Sequence, residues 1–294
     1  MALASVTVAG QTFTPVRIMG EYGQVYPENW GYPDFVSGTC APGQSCPMDP
    51  QHLPGSLNTP MGVAIDRSGQ VAVADTYNHR VQVFDADGTH RLTLGGLGSR
   101  GIPAGEIPQY PGFPGEVQNP ATGAAEPRFF YPTGVAIDGS GKIVVADYWN
   151  HRIVTYYPDG SVFSVFGDYA DATSLAVDGA LGEFAYPFRV AVRPRTRLGH
   201  PMDTAGRLYV VDEGNHRVQN FSATFGPLGA IGGGGGDEAG RFYYPNDIAF
   251  DTLRDQLFVL DGNNDRVQVF PADGTFLFQF GPGDLTIPLG IVVD

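Results

Sequence analysis

Four pairs of oppositely charged residues recur at one spacing along the chain: Asp75 and Arg80, Asp147 and Arg152, Asp212 and Arg217, Asp261 and Arg266. A carboxylate beside a guanidinium can orient a substrate or take part in proton transfer, and a histidine accompanies three of the pairs, at His79, His151 and His216. Histidines and carboxylates are also common ligands of a catalytic metal. Recurrence argues for a different role. A catalytic constellation is a single arrangement, whereas these residues return at equivalent places, which keeps the histidines apart. An aspartate that accepts backbone amides at a turn, with an arginine beside it, satisfies polar groups that would otherwise be buried unpaired. The eight residues are therefore read as structural turn residues, and no catalytic residue, metal ligand or cofactor is assigned. A run of glycines, Gly232 to Gly236, lacks the Lys-Ser/Thr of a phosphate-binding loop and reads as a flexible connection.

The elements that position these residues are four copies of one unit. Copies open at Pro60 (PMGVAIDRSGQVAVADTYNHRVQVF), Pro132 (PTGVAIDGSGKIVVADYWNHRIVTYY), Pro187 (PFRVAV, ten extra residues, then GRLYVVDEGNHRVQNF) and Pro245 (PNDIAFDTLRDQLFVLDGNNDRVQVF). Pro288 begins a fifth, PLGIVVD. Each copy reads as four short strands. The first is apolar on both faces and the next two are β-branched. Asp87-Gly88, Asp159-Gly160 and Asp273-Gly274 mark hairpins between the third and fourth strands, with Gly69, Gly141 and Gly206 between the first two. One such sheet cannot bury both faces, so the copies must stack.

At the turn between strands two and three, three copies carry Asn-His-Arg (78–80, 150–152, 215–217) and the fourth has Asn264-Asp265-Arg266. The linkers Phe129-Phe130-Tyr131-Pro132 and Phe184-Ala185-Tyr186-Pro187 share a Phe-x-Tyr-Pro pattern. In these motifs residues 60–294 resemble the NHL-repeat family. The resemblance implies an all-β propeller, with four complete four-stranded blades and a composite or incomplete further blade in a five- or six-bladed ring. The expected organisation is one domain over 1–294. It has outer strands of a closing blade at 5–20, an inserted loop at 21–59, blades at 60–95, 132–167, 187–232 and 245–281, a second inserted loop at 96–131, and a first strand at 288–294. Zinc-dependent amidating lyases resemble this fold and hold their metal on histidines after the strand-one proline. Here those places hold Met61-Gly62, Thr133-Gly134, Phe188-Arg189 and Asn246-Asp247. Asn246-Asp247 is a polar pair at the channel mouth, and Glu183, Asp237 and Glu238 lie on nearby linkers.

Acidic residues outnumber basic ones 31 to 17, for a formal charge of −14. Such a field repels nucleic acid, and no apolar run is long enough to span a membrane. The arginine trio Arg193, Arg195 and Arg197 reads as a solvated loop. A Pro-Gly turn between Cys40 and Cys46 lets the two sulfurs meet, so a small-loop disulfide is expected, with free thiols as the alternative. The disulfide points to an extracellular, cell-surface or periplasmic setting. No signal peptide is visible at the start, and the chain reads as a mature or excised piece. The sequon Asn220-Phe221-Ser222 falls on an expected strand and reads as coincidental.

Extra sequence at 21–59, 96–131, 168–186 and 229–244 falls between the fourth strand of one blade and the first of the next. One face is therefore loop-covered and rich in aromatics. Tyr22, Trp30, Tyr32 and Tyr110 come from the loops, and Tyr77, Tyr148 and Trp149 from the turns. Rings bring large contact area at low entropic cost, which suits recognition. The expectation is a non-enzymatic scaffold that binds a protein partner or its own copies through this face or through open blade edges, with no cofactor. The alternatives are a metal-assisted lyase or hydrolase at the central channel and a glycan-binding lectin.

Overall fold

A computed structural model describes residues 55–95, 129–167, 179–193, 206–282, 285 and 288–293 in full, with the backbone pairing of 6–8, 11–13, 21–22, 116–118, 125–127 and 168–169. The four repeats form four antiparallel four-stranded sheets, each in simple chain order. Blade 1 comprises Gly62–Ile65, Val71–Asp75, Arg80–Phe84 and His90–Leu94. Blade 2 comprises Pro132–Ile137, Ile143–Asp147, Arg152–Tyr156 and Val162–Phe166. Blade 3 comprises Pro187–Arg193, Arg207–Asp212, Arg217–Phe221 and Pro227–Gly232. Blade 4 comprises Pro245–Asp251, Gln256–Asp261, Arg266–Pro271 and Phe278–Phe280.

Side chains alternate across each strand, so every blade offers an apolar surface to each neighbour. Between blades 1 and 2, Ala72, Val81, Val83 and Leu94 meet Val135, Ile143, Val145, Val154 and Tyr156. Small alanines on one sheet receive larger side chains from the next. The same seam recurs between blades 2 and 3 around Ala146, Ile153, Val190 and Phe221, and between blades 3 and 4 around Tyr209, Val218, Ile248 and Phe270. A phenylalanine from each linker plugs the outer end: Phe129, Phe184 and Phe242 are buried in successive seams. The plug requires a bare backbone opposite it. A side chain at Gly95 would overlap the Phe129 ring, and one at Gly232 the Phe242 ring.

The turns follow their sequence signals. Gly88, Gly160 and Gly274 take positive φ of 77°, 88° and 85°, and the preceding aspartates accept the amides two residues on at 2.8–2.9 Å. Gly69 and Gly141 behave alike. Gly206 differs, since a side chain there would meet the Arg193 carbonyl at 2.8 Å. The glycine run is a packed connection in which Gly233 N–H donates to the His216 carbonyl and Gly236 N–H to that of Phe242. Arg193 is not solvated. It ends the first strand of blade 3 and is buried, with its guanidinium on the Asp255 carboxylate at 2.6 Å. Arg195 and Arg197 lie outside the described residues.

Beyond the four blades, 6–8 and 11–13 pair as a two-stranded hairpin. Glu21–Tyr22 pairs in parallel with Ser56–Leu57, as Asp168–Tyr169 does with Glu183–Phe184 ahead of blade 3. Residues 288–293 lie against blade 4, where Ile291 packs on Leu260, Val267 and Val269. Among the described residues, no helix is long and apolar enough to cross a membrane.

Candidate functional site

The repeated aspartate is a hub that ties each blade to its own linker. Asp75 Oδ2 accepts the Arg80 Nε–H at 2.7 Å, the Asn78 amide at 2.9 Å and the Gln82 amide at 2.9 Å. Its Oδ1 accepts the backbone N–H of Asn58, in the linker, at 2.6 Å. Asp212 and Asp261 repeat the whole set, with Arg217, Asn215 and Gln219 and with Arg266, Asn264 and Gln268. Asp147 repeats it with Arg152 and Asn150. Linker amides of Phe130, Ala185 and Tyr243 take the remaining oxygen at 2.7 Å. All four carboxylates are fully buried. The sequence places these aspartates on the amides of their own turns; the backbone amides they accept belong instead to the linkers.

The glutamine partner was not singled out from the sequence, although Arg-Val-Gln recurs at 80–82, 217–219 and 266–268. Each glutamine oxygen accepts a linker glycine N–H, from Gly55, Gly182 and Gly240, at 2.8–2.9 Å.

The histidine ties each blade to the next. His79, His151 and His216 sit just past their short 3-10 turns in the left-handed region, at φ of 53°, 52° and 53°. Each Nδ1 accepts the N–H of a linker tyrosine that precedes the proline of the following blade. These bonds join His79 to Tyr131 at 3.1 Å, His151 to Tyr186 at 3.0 Å and His216 to Tyr244 at 3.1 Å. The rings meet edge to face, with centroids 4.4–4.6 Å apart. An accepting Nδ1 fixes the neutral tautomer with its proton on Nε2. Burial holds His151 down to about 4 and also lowers His216, the latter against the pull of Asp261 and Asp212.

These ties carry an arc of rings on the linker face. Tyr77 contacts Tyr131 at 5.2 Å, Tyr131 contacts Phe130 at 5.1 Å, and Phe130 contacts Trp149 at 6.1 Å. From Trp149 the arc passes to Tyr148 at 5.9 Å, and from there to Tyr186 at 5.2 Å and Phe188 at 5.7 Å. Tyr77 is exposed, as are Tyr243 and Tyr244 in the linker ahead of blade 4, whereas Tyr148 and Trp149 are half-buried. The structure thus brings together the three turn aromatics singled out from the sequence. Tyr22, Trp30, Tyr32, Tyr110 and the pair Cys40 and Cys46 lie outside the described side chains.

Toward the axis the arc ends on a charged cluster. The Tyr148 hydroxyl donates to Glu213 Oε2 at 2.9 Å. Arg189 lies 3.5 Å from Asp247, donates to the Thr133 carbonyl and stacks 4.8 Å above the Phe188 ring. Burial pushes Glu213 and Asp247 above the usual carboxylate range. Tyr148 and Arg189 oppose the shift in Glu213, while backbone amides and Arg189 oppose it in Asp247. Burial also raises the Tyr148 hydroxyl, reinforced by Glu213. Inner strands are linked here by side chains, with Thr133 Oγ1 on the Phe188 carbonyl at 2.7 Å and Asn246 Nδ2 on that of Pro288 at 2.8 Å. Each of these side chains reaches a neighbouring inner strand or blade, which stiffens the lip. Asn246-Asp247 was legible as a polar pair at this mouth; Arg189 and Glu213, from blade 3, were not. Among the described residues, no three His, Cys, Asp or Glu side chains converge on a metal-sized site.

The NHL repeat model matches residues 57–84 and 129–156, which span the hub and histidine motifs of blades 1 and 2. The chain is similar to Protein brain tumor of Drosophila melanogaster, 26% identical over 138 residues, which are 39% of this chain and 13% of that protein. It is also similar to the B-box type zinc finger protein ncl-1 of Caenorhabditis elegans, 24% identical over 137 residues, or 39% of this chain and 16% of the relative. The match therefore spans less than a fifth of either relative. A chain in a crystal structure of a nidogen/laminin complex superposes with a TM-score of 0.50 at 20% identity, covering 82% of this chain and 70% of that one, a likeness of fold. The repeat match, the relatives and the four stacked sheets agree: the chain carries NHL repeats at 57–84 and 129–156, within a β-propeller-type stack of four-stranded sheets.

Proposed function

We propose that the chain is a non-enzymatic interaction module that binds a protein partner through its aromatic linker face, in an extracellular or cell-surface assembly. One observation carries the reading: the arc of rings from Tyr77 to Phe188 stands on a lip whose backbone is tied down by the buried hubs. Rings on a rigid support give up little entropy on binding, and aromatic anchors dominate the energetics of protein interfaces. The charged groups nearest the axis hold each other and the inner strands, an arrangement that favours positioning over proton transfer. The extracellular setting rests on the cysteine pair in the longest insertion.

The test is hydroxyl-radical footprinting of the chain in its native source fraction and after purification, beside a variant carrying Tyr77→Ala, Tyr243→Ala and Tyr244→Ala. Protection of these tyrosines in the native particle, with loss of the co-isolated protein from the variant, is the expected result. Unprotected tyrosines and unchanged co-isolation would refute the reading. Loss of a carbohydrate instead would turn it toward a lectin.

A further inference from the structure

The two faces of the blade stack differ in charge. Antiparallel order puts the connections between blades and the turns between second and third strands on one face, and the remaining hairpins on the other. The stretches 21–59, 96–131, 168–186 and 229–244 each run into the first strand of a blade. Together they hold 13 of the chain's 31 acidic residues, 3 of its 17 basic ones and nine of its 14 tyrosines. The remaining residues are nearly balanced, so most of the formal charge of −14 enters with these stretches. Their described ends reach the linker face at Asn58, Tyr131, Tyr186 and Tyr244. Outside the hubs, the described carboxylates of that face are Glu183, Glu213, Asp237, Glu238, Asp247 and Asp265, beside two arginines. Both arginines are already engaged, Arg189 at 3.5 Å from Asp247 and Arg241 at 3.5 Å from Glu238. Among the described residues of the opposite face, six basic side chains stand beside eight aspartates.

Where this fold seats a cation on a ring, a carboxylate stands beside it. Arg189 lies 4.8 Å above the Phe188 ring, with Asp247 as its carboxylate. Lys142 lies 5.0 Å above Phe163 with Asp138 at 3.6 Å, and Arg193 lies 5.5 Å above Phe250 with Asp255 at 2.6 Å. The face of an aromatic ring carries partial negative charge, so ring and carboxylate pull on a cation together. The linker face turns the same two groups outward. Tyr243 and Tyr244 are 44% and 39% exposed, and Asp237 and Glu238, in the same connection, are exposed as well. Tyr77 is 46% exposed. The Tyr148 hydroxyl, bonded to Glu213, is within electrostatic reach of Tyr186 and Tyr244.

We propose, resting on the aromatic face as the docking face, that its partner is a polypeptide presenting an arginine-bearing basic segment, whose guanidinium groups stack on Tyr77, Tyr243 and Tyr244 and pair with the carboxylates of the connections. Charge complementarity selects this occupant. A second copy of the chain would bring the same charge of −14 to the contact, and a polyanion is repelled by it. Arginine fits better than lysine, because a planar guanidinium can lie flat on a ring while its edge meets a carboxylate through two hydrogen bonds. The few basic groups of the face are spent on its own carboxylates, so the exposed Asp237 and Glu238 set the sign that an approaching segment meets.

The probe is the fluorescein-labelled peptide GRGRGRGRG, titrated with the full chain at ~0.05 M salt and followed by anisotropy. Saturable binding is expected, about tenfold tighter than that of the same peptide with citrulline for arginine, and tighter than that of its lysine counterpart. The double variant Tyr243→Ala, Tyr244→Ala keeps the net charge and should bind about tenfold more weakly; Tyr77→Ala, at an exposed turn position, is the second ring variant, and thermal melts check both. Asp237→Asn with Glu238→Gln should weaken binding about fivefold. Asp85→Asn with Asp87→Asn makes the same change of net charge on the opposite face and should leave binding within about twofold. No saturable binding would overturn the proposal. So would equal losses from the two charge pairs with the ring variants binding as the wild type, since the net field alone would then explain the affinity. Tyrosines protected in the native particle by a partner without a basic segment, beside a silent arginine peptide, would keep the docking face and overturn the cationic partner alone.

Discussion

Acid should weaken the blade seams by charging the histidines that tie them. In each tie Nδ1 must be free of a proton, because a charged imidazole would present N–H to the tyrosine N–H. For His151, burial takes the value from the ordinary 6.5 to about 4 in the folded chain. The unfolded chain therefore binds the proton first as pH falls. The contribution is complete above about pH 6.5, declines toward pH 4 and is gone below it, and at about 1.4 kcal/mol per unit it amounts to about 3 kcal/mol. The control is His151→Asn, since asparagine tolerates the left-handed φ and does not titrate. Urea unfolding of both chains is measured from about pH 7.5 to pH 4. The wild type should lose about 3 kcal/mol more than the variant across this range. Parallel pH dependences would show that the His151 tie makes no titrating contribution.

Four further outcomes follow from particular contacts. Asp212→Ala strands the buried Arg217 and should cost about 3–5 kcal/mol in urea unfolding. Gly134→Ala places a Cβ against the Phe188 carbonyl and should destabilise by about 1–3 kcal/mol. Gly290→Ala, where among the described residues the nearest atom to a side chain is Asp247 Oδ2 at 3.5 Å, should change stability by less than about 0.5 kcal/mol in the same assay. Tyr77→Ala should leave the melting temperature within about 2 °C, while partner affinity drops at least tenfold by surface plasmon resonance.

How much could be read without coordinates depended on distance along the chain. Strands, hairpin glycines and the Asp–Arg pairs repeat at fixed short spacings, so the sheets and the Asp–Arg core of each hub were legible, though not its glutamine. What each hub grips was not. Asp75 reaches Asn58 across 17 residues and Asp212 reaches Ala185 across 27, into linkers whose lengths vary and whose amides carry no side-chain label. Arg193 read as solvated because its partner Asp255 lies 62 residues on, in the next blade. The glycine run read as flexible because its steric reason, the Phe242 ring, comes after it in sequence. At the mouth, Asn246-Asp247 stood out as adjacent polar residues, whereas Arg189 and Glu213 gain meaning only once blade 3 is placed beside blades 2 and 4.

Each histidine tie joins the turn of one blade to the linker of the next, so its two halves belong to different sheets. Nearest-neighbour coupling, rather than the stability of any single sheet, is then what makes unfolding cooperative. A lesion at His151 should be felt by blades 2 and 3 alike, and hydrogen exchange should report them opening as a pair. Duplication of a repeat faces the same constraint: a new blade docks at full strength only when the inserted stretch brings a histidine for the linker ahead and a tyrosine for the turn behind.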